Sequence, residues 1–250
     1  MRIAFSVIFI LLIAALGVCR VKAGRSRKAI GPSVALLDAA LIPPLIGNLI
    51  IIASTGKTLS TIGCYIYFLG MDMVMYAALR FSLDYCAVSR ASRRYCLLAY
   101  IPLGIDVVQL LLNPFFGHAF GTEPVLVENA DYYRLLPYLG QTYHRVVDYG
   151  ILAAIVVIFI IKIIRSPRIN SERYSVILAA IIITAVWETA YIFSRTPVDR
   201  AMIGLGVFGL LVYYLSLFYR PLRLLDSMLA NMASEMPEAL FFFDANCHCI

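Results

Sequence analysis

Seven residues carry chemistry into otherwise apolar surroundings: Asp72, Asp106, Gln109, Asn113, His144, Asp148 and Glu188. Ionisable side chains inside long apolar runs are expensive in lipid, so they face a bundle interior, a partner or a water-filled cavity. Asp72 stands in the middle of "FLGMDMVMY". Asp106, Gln109 and Asn113 recur at i, i+3 and i+7, which places them on one face of a helix. Asp148 follows His144 and Arg145, and Glu188 has Thr184 and Tyr191 at i−4 and i+3. Judged by depth, Asp72, Asp106, Asn113, Asp148 and Glu188 fall in the central or outer part of their runs. The expectation is a polar cavity open to the outside, suited to a small cationic or hydrogen-bonding ligand. The competing reading is interhelical hydrogen bonding, worth only about 0.6–2 kcal/mol per bond.

Nothing here predicts catalysis, a cofactor or a metal. The chain has no Gly-rich phosphate loop, no H-E-x-x-H and no G-x-S-x-G. His118, His144 and His248 form no nucleophile pair with Cys or Ser. The closing Cys247-His248-Cys249 lacks a second ligand pair. Lys22, Lys28, Lys57 and Lys162 are the only lysines, so the last apolar run holds none for a Schiff base, and a rhodopsin is excluded. The six scattered cysteines predict no external disulfide framework.

The elements that position these residues follow from composition. The 250-residue chain is 62% hydrophobic and 14% charged, against roughly a quarter charged in soluble domains. Seven apolar stretches, at 3–19, 34–54, 62–83, 95–116, 146–164, 174–193 and 201–219, approach the roughly 20 residues that cross a bilayer as helix. In hydrocarbon the backbone must satisfy itself, and helices do so. Five basic residues in "CRVKAGRSRK" follow the first stretch while only Arg2 precedes it, which predicts a retained helix rather than a cleaved signal. Alternate connections continue the bias, with fourteen basic residues on one side and six on the other. The formal charge of +6 thus reports membrane orientation, not nucleic-acid binding. The expected fold is an all-α membrane protein, a seven-helix bundle with the N-terminus outside and the C-terminus cytoplasmic. Locally, Pro43-Pro44, flanked by Asp38 and Asn48, predicts a kink, Arg80 is expected to pair with Asp84 at i+4, and Tyr132-Tyr133 is expected to mark the bilayer edge.

Past residue 221 the character changes. Leu222, Leu225, Met228, Leu229 and Met232 space an amphipathic helix over 222–236. Pro237 ends it, and "ALFFFDAN" predicts a strand running into a turn.

"LIPPLIGNLIIIAS", "NPFFGHAF" and "YHRVVDYGILAAIVV" together resemble the N-terminal seven-helix sensor region of bacterial histidine kinases and diguanylate cyclases. The resemblance covers residues 1–221; Asn113 with Pro114, and His144 with Tyr149, occupy its motif positions. "MPEALFFFDANCHCI" (236–250) resembles the start of a PAS domain, a short α+β beginning at the C-terminus over 237–250. The resemblance implies a multi-pass sensor in the bacterial inner or plasma membrane, with lipid and an unknown small ligand as partners. It implies homodimerisation through the cytoplasmic helix and an output enzyme beyond Ile250, with Pro221 setting the stiffness of the connection. A small transporter or proton-coupled carrier using the intramembrane carboxylates is the alternative; it is disfavoured by the lack of a second half matching the Pro-Pro break.

Overall fold

The computed structural model describes residues 2–89, 93–94, 96, 98–127, 130–166, 168–194 and 199–218. Seven helices of 17 residues or more occupy them: α1 (Arg2–Gly24), α2 (Gly31–Ala53), α3 (Lys57–Tyr85), α4 (Tyr100–Phe116), α5 (Leu139–Arg165), α6 (Arg168–Ser194) and α7 (Ala201–Leu217). A two-stranded sheet, β1 (Phe120–Val127) and β2 (Ala130–Pro137), stands between α4 and α5. Five helices, α1, α2, α3, α5 and α6, are long and apolar enough to cross a membrane. At about 1.5 Å per residue, α4 and α7 reach only some 26 Å, short of a hydrocarbon core of about 30 Å. The amphipathic helix at 222–236, the strand after Pro237, Pro221 and the Cys-His-Cys terminus lie outside the described residues.

The helices run alternately up and down, which gives the bundle two ends. At one end Arg2 of α1 lies 4.3 Å over the Tyr132 ring of β2. The end of α2 meets the start of α7 there too, where Asn48 Nδ2 donates to the Asp199 carbonyl at 2.9 Å. At the other end Lys28 Nζ donates to the Leu217 carbonyl, and Arg93 pairs with Asp84 at 2.7 Å. Asp84 also accepts from Ser33. The expected Arg80–Asp84 pair is therefore replaced: Arg80 Nη1 donates to Tyr76 at 3.4 Å, and Arg93 reaches Asp84 from the following connection.

Close packing of α2 on α3 rests on small residues, the usual means by which membrane helices approach. A Cβ at Gly47 would lie 2.5 Å from the Tyr67 backbone nitrogen, and one at Gly63 2.9 Å from the Gly47 carbonyl. Gly70 likewise admits Pro44, whose Cδ would be 2.6 Å from an added Cβ. Pro43 and Pro44 sit inside one continuous helical span instead of dividing it. On the other side α1 packs on α2 and α7, joined by buried Leu12, Leu16 and Leu41.

The connection between α4 and α5 is a β-hairpin where the sequence reading placed only a loop. Phe120 pairs with Pro137 and Val127 with Ala130, in antiparallel register. Lone hairpins are marginal in water, and this one is pinned to the bundle. Phe120 packs 4.8 Å from Tyr65 and 5.1 Å from Phe68, and Thr122 meets Thr61 at 3.2 Å. Glu123 and Arg134, cross-strand partners, form an ion pair on its surface. Tyr132 of β2 is buried against the bundle.

Candidate functional site

Three of the seven predicted residues converge on a fourth, His144, near the start of α5. Its Nδ1 lies 2.5 Å from Asp106 Oδ2 of α4 and 3.5 Å from Asp72 Oδ1 of α3. Its Nε2 lies 3.3 Å from Asp148 Oδ2, one turn along α5. The ring is set edge-on to Phe68, with centroids 5.2 Å apart. Asp106 and Asp72 are buried to 0% and 2% exposure. Three helices therefore place three carboxylates around one imidazole. An imidazolium balances only one of them, and charge in a low-dielectric interior must be matched. Shared protons or a cation are the two ways to complete such a cluster. Asp72, His144 and Asp148 each offer one ligand atom within 4.8 Å of the others. The Nδ1 side of His144 is already engaged by Asp106, which leaves Nε2 facing Asp148.

Gln109 orients this cluster from behind. Its Nε2 donates to Asp106 Oδ1 at 2.7 Å and to the Gly140 carbonyl at 3.1 Å. Asn113, one turn further along the same face, does something else. Its Oδ1 accepts from the Ala119 N–H at 2.7 Å, and its Nδ2 donates to the Phe120 carbonyl and to Tyr65 Oη. Together with Gly117, whose φ of 59° turns the chain at the end of α4, Asn113 ties the hairpin down.

Glu188 belongs to a second constellation. The Tyr67 hydroxyl lies 2.9 Å from Asp199 Oδ2 and 3.3 Å from Glu188 Oε1. Asp199, in the connection before α7, also accepts from the Ala201 N–H at 2.9 Å. Tyr67, Asp199 and Asn48 are the members that sequence reasoning did not assign to the site. In the sequence Asp199 lies between two apolar runs and Tyr67 is one of many tyrosines; in the fold Asp199 meets Tyr67 of α3 and Asn48 of α2 and is 3% exposed.

Both constellations border a cavity of about 580 Å³ between α3, α5 and α6. His144, Asp148 and Glu188 line it, with Asn48, Tyr67, Arg145, Tyr191 and Asp199. Residues 133–137 of β2 also contribute to its wall. Asp72, Asp106, Gln109 and Asn113 do not line it; the first three stand behind His144, and Asp72 instead borders a smaller apolar recess beside Tyr76 and Tyr100. The predicted single polar lining is thus split into a wall and its support, because α4 packs outside α3 and α5.

A polytopic helical bundle with an acid-ringed histidine beneath a cavity is the class this geometry defines. The chain belongs to the family described as the N-terminal 7TM region of histidine kinase, which matches residues 2–225. No curated protein matches the chain. Family membership makes it a membrane sensory input region of histidine kinases.

Proposed function

We propose that the chain crosses the membrane seven times, with the hairpin end outside, and that a small ligand entering the cavity between α3, α5 and α6 is its stimulus. Occupancy changes which of two bundle arrangements is favoured, through the ligand's differential affinity for them. The change passes along α7 to a histidine kinase region in the cytoplasm of a bacterium, with the helix at 222–236 pairing two chains. The observation that carries this reading is the position of Asp199. It lies on the connection that starts α7, borders the cavity and is tied to α3 through Tyr67. A ligand touching Asp199 or Glu188 therefore acts on the root of the last helix directly.

The basic residues support the orientation, since the hairpin end carries few and the opposite end many. The short α4 and α7 are compatible with spanning where the bilayer thins locally or where flanking residues snorkel. The test joins the chain in helical phase to a kinase region and measures autophosphorylation. Asp106→Asn combined with Glu188→Gln should abolish the response to stimulus while leaving membrane insertion intact; a normal response in that variant rejects the cavity as the input site.

A further inference from the structure

The cavity has two halves of different chemistry. Every charged or histidine residue on its wall, namely Arg134, His144, Arg145, Asp148, Glu188 and Asp199, lies at the hairpin end. Further in, the wall is Leu37, Val74, Phe81, Leu152, Ile155 and Ile181. The hydroxyls of this inner part are already engaged by their own helices: Ser82 donates to the Ala78 carbonyl at 2.7 Å and Thr184 to the Ala180 carbonyl at 2.9 Å. Along α3 the lining extends from Cys64 to Ser82, about 27 Å at a rise of about 1.5 Å per residue. A site for a small polar ligand has no use for so long an apolar extension.

Among the described residues no cation pairs with the acceptors that converge on Tyr67, although Arg134 and Arg145 stand at the same end. Tyr67 has a single hydroxyl proton, yet Asp199 Oδ2 and Glu188 Oε1 both address it. Among the described residues no cation lies within 4.0 Å of either carboxylate, although Arg145 is on the same wall. One Asp148 oxygen likewise has no hydrogen-bond partner there. A cationic donor between these acceptors satisfies them at once, and bonds of that kind are among the stronger ones.

From this we infer that the cavity takes an amphiphile with a cationic, ammonium-type head and an unbranched hydrocarbon tail. The head sits between Glu188 and Asp199, and the tail runs inward along α3 past Val74 and Ala78. This deepens the reading of the cavity as the stimulus site and rests on it only for the consequence of binding, not for binding itself. The ammonium amphiphile can arrive from solution or from the bilayer, as an aminated lipid.

Binding of radiolabelled dodecylamine to the full chain in phosphatidylcholine nanodiscs tests the inference. Saturable binding is expected, with butylamine and dodecanoate each competing at least about tenfold more weakly. Glu188→Gln with Asp199→Asn should weaken dodecylamine at least about tenfold, and Ala78→Phe should do the same while leaving butylamine within about threefold. Unaltered circular dichroism and elution show that the variants fold. Replacing phosphatidylcholine with phosphatidylethanolamine separates the sources: displacement of dodecylamine assigns the head to a membrane lipid, and undiminished binding assigns it to a free amphiphile. Equal competition by dodecanoate, or full affinity in the folded double variant, overturns the inference. Tight dodecylamine binding with no change in kinase output would instead sink the sensory reading and leave this one standing.

Discussion

Tyr67 and Asp199, 132 positions apart, are joined by a hydrogen bond of 2.9 Å that fastens the hairpin-end half of α3 to the root of α7. Glu188 of α6 reaches the same hydroxyl, so one tyrosine gathers three elements. Tyr67→Phe removes the donor and leaves two buried acceptors facing a ring. Thermal unfolding should show a loss of about 1–3 kcal/mol. In an Asp199→Asn background the same change should lose less, because part of the energy is a coupling between the two side chains.

Asp199 gives the bundle a pH dependence. Burial pushes its carboxyl up to about 6, against the pull of the Tyr67 hydroxyl and the Ala201 and Met202 N–H groups. The ordinary value is 3.8, so the folded chain holds this proton to higher pH than the unfolded chain does. The group contributes nothing to the difference below pH 3.8, destabilises increasingly between there and about 6, and destabilises fully above. The whole effect is at most about 3 kcal/mol. Melting temperature measured against pH should therefore fall for the wild type relative to Asp199→Asn as the pH rises through this window.

Gly47 is the tightest point of the α2–α3 contact. Its added Cβ would meet the backbone of Tyr67 at 2.5 Å, and backbone cannot swing aside as a side-chain tip can. Gly47→Ala should destabilise by about 1–3 kcal/mol and displace Tyr67. Gly17, with nothing within 4 Å of a built Cβ, is the control whose replacement by alanine should be nearly neutral in a melting experiment.

Asn113 should act on the hairpin rather than on the cavity. Asn113→Ala leaves the Ala119 N–H, at 2.7 Å, without its acceptor. Hydrogen exchange over residues 119–137 should accelerate, while exchange in the middle of α3 and α5 stays as it was.

How far the sequence revealed this molecule depends on which signal each part obeys. Apolar runs show where helices form, because lipid leaves the backbone no other choice. The helix α5, however, begins at Leu139, seven residues before the run that announced it, since a helix continues into polar surroundings without an apolar signal. The hairpin was invisible: "GTEPVLV" with its Pro124 reads poorly as a strand, and what fixes it lies outside the loop, in Asn113 of α4 and in Tyr65 and Phe68 of α3, on which Phe120 packs. Asp72, Asp106, His144 and Asp148 were legible as residues needing partners, because charge inside apolar runs demands them, but the sequence placed Gln109, Asn113 and Glu188 in the same single lining. Asp199 was not legible, since what buries it are contacts with residues far away in sequence, Tyr67 of α3 and Asn48 of α2.

Occupancy of the cavity is expected to shift α7 against the rest of the bundle. In a cysteine-free background, spin labels at Arg165→Cys, the end of α5, and Phe218→Cys, just past α7, report that movement as a distance distribution in nanodiscs. Saturating dodecylamine is predicted to redistribute two distance populations, and Glu188→Gln with Asp199→Asn should cancel the change. A single distribution, identical with and without bound dodecylamine, would contradict the account.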